Sequence, residues 1–171
     1  MEELVAAGAV DPASVGVYAV GRVVLAQRPD APVLLRSARD LAGEPFASAR
    51  IAIANPATAP YGAAARQVLD VLGSQGPALE ERLVIADNVA QAPEFARTGN
   101  AEVAFAVASN LPPEGIHAVD VPGEMHEPIE QAGALTRRGA AREAAGSLHE
   151  HLLGEAGRAV LQAHGFAAPA P

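Results

Sequence analysis

The chain has 171 residues, a formal net charge of −8, and neither cysteine nor tryptophan. The length suits one medium domain or two small lobes, and a 50% apolar composition is enough for a real core, which rules out wholesale disorder. Twenty acidic residues against 12 arginines, with no lysine, argue against a nucleic-acid partner, and the lack of cysteine excludes disulfides, thiol catalysis and cysteine–zinc sites.

Residues 1–9 read as the end of a helix, with Leu4, Val5 and Ala6 ahead of a stop at Gly8. The opening MEELVAAGAV carries acids where a signal peptide needs bases, and no apolar run reaches the roughly 18 residues of a membrane span. A turn at Asp11-Pro12 leads into 15–26, a stretch rich in β-branched residues that predicts a strand broken near Gly21. Residues 28–32 form a loop, and Leu41 lies in a short helical turn. Residues 50–54 (RIAIA) predict a short apolar strand. It runs through NPATAPYG into a helix with Val68, Leu69 and Leu72 on one face and Gly73 as its stop.

A second strand at 83–86 precedes Asp87-Asn88 and a helix beginning near Val89, and a third strand follows at 102–107. This alternation of short apolar strands with helices predicts a parallel sheet covered on both faces. Residues 111–128 read as loop, 129–136 as a strand crossing to another region, and 140–164 as helical, with a frayed tail at 165–171. Forty alanines and only six Phe plus Tyr make close helix approach, rather than large side chains, the means of packing.

Two strand-to-helix junctions carry the chemistry. In the first, Asn55-Pro56 ends a strand and Pro60 stands where a first helical residue belongs, with Tyr61 and Gly62 behind it. In the second, Asp87 or Asn88 can cap the next helix. Both lie at carboxyl ends of parallel strands, where open α/β sheets bind ligands, and free N–H groups at a helix start suit an oxyanion. Every α/β sheet has such junctions and most bind nothing, so both readings stand at this point.

Other candidates are weaker. His149, Glu150 and His151 are two apart or adjacent on a helix and point to different faces, so a solvated surface explains them better than a metal. His126-Glu127 lacks the HExxH spacing, and Glu80-Glu81 reads as solvated loop charge. No GxSxG, GxxxxGK[ST] or GxGxxG occurs, no catalytic set emerges, and neither metal nor cofactor is expected.

Taken together, YAVGRVVL (18–25), IAIANPATAPYGAAARQVL (51–69), NVAQAPEFARTGNAEVAF (88–105), EPIEQAGAL (127–135) and GEAGRAVLQAHGF (154–166) resemble the molybdate-binding proteins of bacterial ABC importers. The resemblance implies an α/β fold of the type II periplasmic-binding-protein kind. One complete α/β lobe with a mostly parallel sheet would span 22–122. An incomplete second lobe would be made of 1–19 and 129–171, joined by hinge strands. It also implies a tetrahedral oxyanion, molybdate or tungstate, held without a counter-charge by backbone N–H groups. By motif these are the N–H groups of Tyr61 and Val89, with Pro60, Gly62 and Asn88 shaping the turns. An ABC permease and its ATPase would be the partners, and the location periplasmic or secreted. Without a signal peptide in these residues, a cytoplasmic location stays open.

Three departures from the family pattern stand out. A tyrosine hydroxyl that some members add from the third strand falls here at Val107, which has none. Pro93 interrupts the NVAQA-x-x-F helix and is expected to remove a backbone bond and distort the second junction. The family's first strand, with its Ser- or Thr-bearing turns, has no counterpart ahead of residue 1, as in a fragment, a misplaced start or a degenerate copy.

The energetics then favour weak binding. Two or three hydrogen bonds to a charged ligand net roughly 3–9 kcal/mol, against an association cost of about 4–15 kcal/mol. Exposed first-lobe surface is expected to drive self-association. Sulfate or an organic anion in the same fold, and a remnant that binds nothing, are the alternatives.

Overall fold

In the computed structural model, which describes residues 1–73, 77–112 and 114–169, helix α1 (Glu2–Ala6) stops at Gly8. Gly8 has φ +62°, and Gly8 N–H and Ala9 N–H donate to the carbonyls of Val5 and Leu4 at 2.9 Å each. That pair of bonds closes the helix end in the left-handed conformation glycine tolerates best. Strands β1 (Gly16–Gly21) and β2 (Val23–Gln27) come next, and then β3 (Ile51–Ala54), α2 (Pro60–Val71), α3 (Pro77–Glu80), β4 (Leu83–Ala86) and α4 (Gln91–Arg97). Strands β5 (Val103–Val107), β6 (His117–Asp120) and β7 (Ile129–Gly133) lead to α5 (Arg137–Ala140), α6 (Glu143–Leu153) and α7 (Glu155–Ala163).

The chain divides into two compact units, Met1–Gly21 with Glu130–Pro171, and Arg22–Ile129. The stretch over 15–26, expected as a strand broken near Gly21, is two strands serving two sheets, with the break at Arg22.

The Arg22–Ile129 unit is built on a five-stranded sheet in the order β4-β3-β5-β2-β6. Strand β3 runs parallel to β4 and β5, while β2 is antiparallel to both β5 and β6, so the sheet is mixed. Side chains alternate across it. Ile51, Ile53, Val103 and Phe105 join Val68 and Leu69 of α2 in the larger core, whereas Ala52 and Ala104 meet Ala92 and Ala96 of α4. The alanine-rich face lets α4 lie close on the strands, and the larger side chains do the filling on the α2 side. Each fully buried Ile or Leu there contributes about 1.5–3 kcal/mol.

Strand β6 corrects the loop expected over 111–128. Its four residues, HAVD, are half-buried in alternation and are flanked by proline and glycine. Only its register with β2, Val24 against Asp120 through Gln27 against His117, makes it a strand. Pro113 lies outside the described residues.

In the other unit, β1 pairs with β7, and isolated bridges join Val10 to Thr136 and Val20 to Ala167. The tail expected to fray is thus held at Ala167, with N–H to O distances of 2.9 and 2.8 Å to Val20; Ala170 and Pro171 lie outside the described residues. The helical stretch expected over 140–164 is broken twice: α5 ends at Ala140, and Gly154, extended at φ −78° and ψ 170°, separates α6 from α7. Gly157 lets α7 turn against the end of α6, because a Cβ there would lie 2.1 Å from the His151 carbonyl oxygen. Val10 and Ala19 are the buried apolar side chains of this unit among the described residues.

Candidate functional site

The two junctions leave neighbouring parallel strands at the same end. Strands β3 and β4 are in register from Ile51 against Leu83 to Ala54 against Ala86, and Asn55 N–H donates to the Ala86 carbonyl at 3.0 Å. The turns that follow therefore start side by side.

At the first junction the Asn55 carbonyl accepts from Thr58 N–H at 3.2 Å and Ala59 N–H at 2.9 Å, and its side-chain oxygen accepts from Ala57 N–H at 3.0 Å. Asparagine locks such a turn because its amide copies a backbone acceptor. Helix α2 then begins with Pro60 at its first position, as expected. The residue at its N-cap is Ala59, which has no side-chain oxygen to offer. Gly62 and Ala63 N–H donate to the Ala59 carbonyl, and the Tyr61 N–H has no protein acceptor among the described residues.

Gly62 fixes how close this helix start can come to the strand. A Cβ on it would lie 2.3 Å from the Ala54 carbonyl oxygen and 2.9 Å from the Asn55 carbonyl carbon. The Tyr61 side chain is half-buried against the larger core, and that burial raises its phenol above the ordinary value, so it stays neutral.

The second junction differs from expectation. Helix α4 starts at Gln91 rather than near Val89. The Asn88 side-chain oxygen accepts from Ala90 and Gln91 N–H at 3.0 and 3.1 Å, and the Gln91 side chain accepts from Asp87 N–H at 2.7 Å. The N-cap is Ala90, which makes no side-chain cap bond, so Asn88 ties the turn ahead of the helix rather than capping it, and Val89 sits in that turn, two residues ahead of the helix. The later start also places Pro93 at the third helical position, where an N–H would have no helical partner, so the expected loss of a backbone bond does not occur. The Val89 N–H has no protein acceptor among the described residues.

Residues 55–62 and 87–92 hold one charged side chain, that of exposed Asp87, and no arginine. No cationic side chain stands in these two turns. Val107 is buried at the end of β5 opposite Val23 and offers no hydroxyl. Two hydroxyls escaped the sequence reading: Thr58, in the turn after β3, and Ser109, just past β5. Both follow the carboxyl ends of parallel strands, and that position is the signal that could have found them. Among the described residues no group of three His, Asp or Glu side chains could hold a metal ion.

The family described as bacterial extracellular solute-binding protein matches residues 1–167. The chain belongs to this family. Among its relatives, the molybdate-binding protein ModA of Azotobacter vinelandii is 40% identical over 120 residues, covering 68% of this chain and 47% of the relative. ModA of Rhodobacter capsulatus is 35% identical over 161 residues, covering 91% of this chain and 60% of the relative. The chain therefore spans about half to three fifths of the length of the curated relatives it matches. The solved periplasmic molybdate-binding protein of Azotobacter vinelandii superposes with a TM-score of 0.76 at 31% identity, over 99% of this chain and 74% of that one. The fold is that of type II periplasmic binding proteins.

Proposed function

We propose that this solute-binding-family chain is the solute-binding component of a molybdate or tungstate ABC importer, and that it takes its oxyanion on backbone N–H groups rather than on charged side chains. The observation that carries this reading is the pair of unpartnered amides, Tyr61 and Val89, in turns that leave adjacent parallel strands. Two relatives that share 35–40% identity with it are named as molybdate-binding proteins. In this reading Pro60, Gly62 and Asn88 shape the turns, and the solute is released unchanged, so the chain is a binding protein and not an enzyme. Its place is periplasmic or secreted, and its partners are a permease and an ATPase.

In the same reading, Arg22–Ile129 corresponds to the complete lobe, and the two flanking segments to parts of the other. The donors this unit supplies are too few for tight capture. Two or three charged hydrogen bonds net roughly 3–9 kcal/mol, and association costs about 4–15 kcal/mol. The 171-residue chain is accordingly expected to bind molybdate weakly, at or beyond about 1 mM. Apolar side chains exposed in the smaller unit, Leu148 and Val160 among them, would then favour self-association.

Calorimetry with molybdate, tungstate and sulfate tests the reading. Weak binding of molybdate and tungstate that sulfate does not displace supports it. Preference for sulfate turns it into a reading for another anion, and micromolar affinity overturns the expectation of weak capture.

A further inference from the structure

A cavity of about 480 Å³ opens in the Arg22–Ile129 unit, at the end of the sheet opposite to Tyr61 and Val89. Its walls come from Ala49, just ahead of β3, from Ala101 and Glu102, just ahead of β5, and from Gln27 and Arg28, where antiparallel β2 ends. The volume lies within the range of small-molecule sites, about 300–1,000 Å³.

Side-chain braces hold this space open. Gln27 is 1% exposed; its amide donates to the Val33 carbonyl at 2.9 Å and accepts from Leu35 N–H at 2.6 Å. His117 Nε2 lies 2.7 Å from the Leu35 carbonyl oxygen and donates to it, so one loop wall is pinned from two strands. Arg82 donates to the carbonyls of Ala49 and Phe46 at 2.9 and 3.0 Å, and Arg50 donates to the Gly99 carbonyl at 3.0 Å. The walls are thus fixed in the absence of a ligand, which lowers the ordering cost of binding.

The lining sets the ligand's chemistry. Pro32, Val33, Pro45, Phe46 and Ala49 form an apolar wall. Arg28 is the cation at the rim, paired at 3.3 Å with Asp30, and both side chains are largely solvated at 45% and 74% exposure. An exposed pair of that kind is weak and exchanges readily for a ligand carboxylate, which guanidinium can grip with two donors. Glu102, held by Arg50, keeps a negative charge on another wall and disfavours a second negative charge on the ligand.

We propose that this cavity is a second ligand site, selective for a small monocarboxylate with an apolar body, aromatic or branched. It is independent of the anion reading at Tyr61 and Val89.

The test is a titration of the whole chain with 3-phenylpropionate, followed by amide NMR, with the neutral 3-phenylpropanamide as control. The expected result is saturable binding with a Kd on the order of a few millimolar. Shifts should centre on Val33, Ser48 and Ala101 and spare Tyr61 and Val89. The amide, and the exposed variant Arg28→Gln at unchanged melting temperature, should each weaken binding tenfold or more. Molybdate should not displace the carboxylate. Failure to saturate, shifts centred on Tyr61 and Val89, displacement by molybdate, or equal binding by the amide or by Arg28→Gln would overturn the proposal.

Discussion

Gly62 stands so close over Ala54 that a Cβ on it would lie 2.3 Å from the Ala54 carbonyl oxygen. The first turn of α2 therefore rests directly on the end of β3, and the Tyr61 amide takes its position from that contact. Gly62→Ala must lift the helix start off the strand. Overpacking of this kind costs about 1–3 kcal/mol, and a fall in thermal stability of that size is expected. Any molybdate binding should vanish with it, whereas Gly123→Ala, where a Cβ meets nothing within 4 Å, should leave both unchanged. Retention of full stability and binding by Gly62→Ala would refute the close-approach argument.

Asn88 ties the second turn by accepting from Ala90 and Gln91 N–H. Asn88→Ala removes both bonds and is expected to destabilise the chain by about 1 kcal/mol. Asn88→Asp keeps the acceptor and should retain most of the stability. It also adds a negative charge next to Val89, so molybdate binding should drop although the fold survives. Comparing the melting temperature and the titration of both variants separates the two roles.

Gln27 is the buried polar side chain of the larger unit among the described residues, and it satisfies Val33 and Leu35. Gln27→Leu keeps the bulk but strands the buried Leu35 N–H, at about 1–3 kcal/mol, while the carbonyl of exposed Val33 is left to water. Denaturant unfolding should show a lower midpoint with a nearly unchanged slope. A midpoint equal to the parent's would mean that the 28–35 loop does not depend on this amide.

Asp40 gives the chain part of its acid sensitivity. The Arg36 backbone N–H, 2.7 Å from its carboxylate, lowers its pKa below the ordinary 3.8; burial opposes this, and the Ser37 N–H and hydroxyl add to the lowering. A depressed pKa in the folded state contributes stability above the unfolded value and loses it as pH falls through the folded value. The 3-10 turn at Ala38–Ala42 is therefore expected to loosen below about pH 4. Asp40→Asn should flatten the fall in melting temperature between about pH 5 and pH 2. An unchanged pH profile would remove Asp40 from the account.

Leu148 and Val160 are 60% and 55% exposed on α6 and α7. Sedimentation velocity on the chain should reveal association that grows with concentration, and Leu148→Glu with Val160→Glu should reduce it without lowering the melting temperature. A sample that stays monomeric at the highest concentration would end the self-association reading.

Much of the larger unit was legible from local signals. The runs IAIA, LVIA and VAFAV are strands, Pro60 opens α2, and Gly73 with φ +74° follows its end. Each of these rests on a preference expressed within a few residues: β-branched or small apolar alternation, a proline without an N–H, a glycine with a positive φ. Asn88 was legible as a residue that orders the turn after β4, but not as the N-cap, which is Ala90. The start of α4 was not, because Val89 and Ala90 fit a helix as well as a turn, and the Asn88 amide chose the turn.

What the sequence by itself determined is therefore the set of short apolar strands and the two turns that follow β3 and β4, since dihedral preference and burial pattern act over neighbouring residues. The tertiary structure alone decided that β2 inserts antiparallel between β5 and β6 and that HAVD is a strand at all. Those outcomes depend on partners far away in the chain, whose hydrogen bonds and side-chain contacts exist only after the chain has closed on itself.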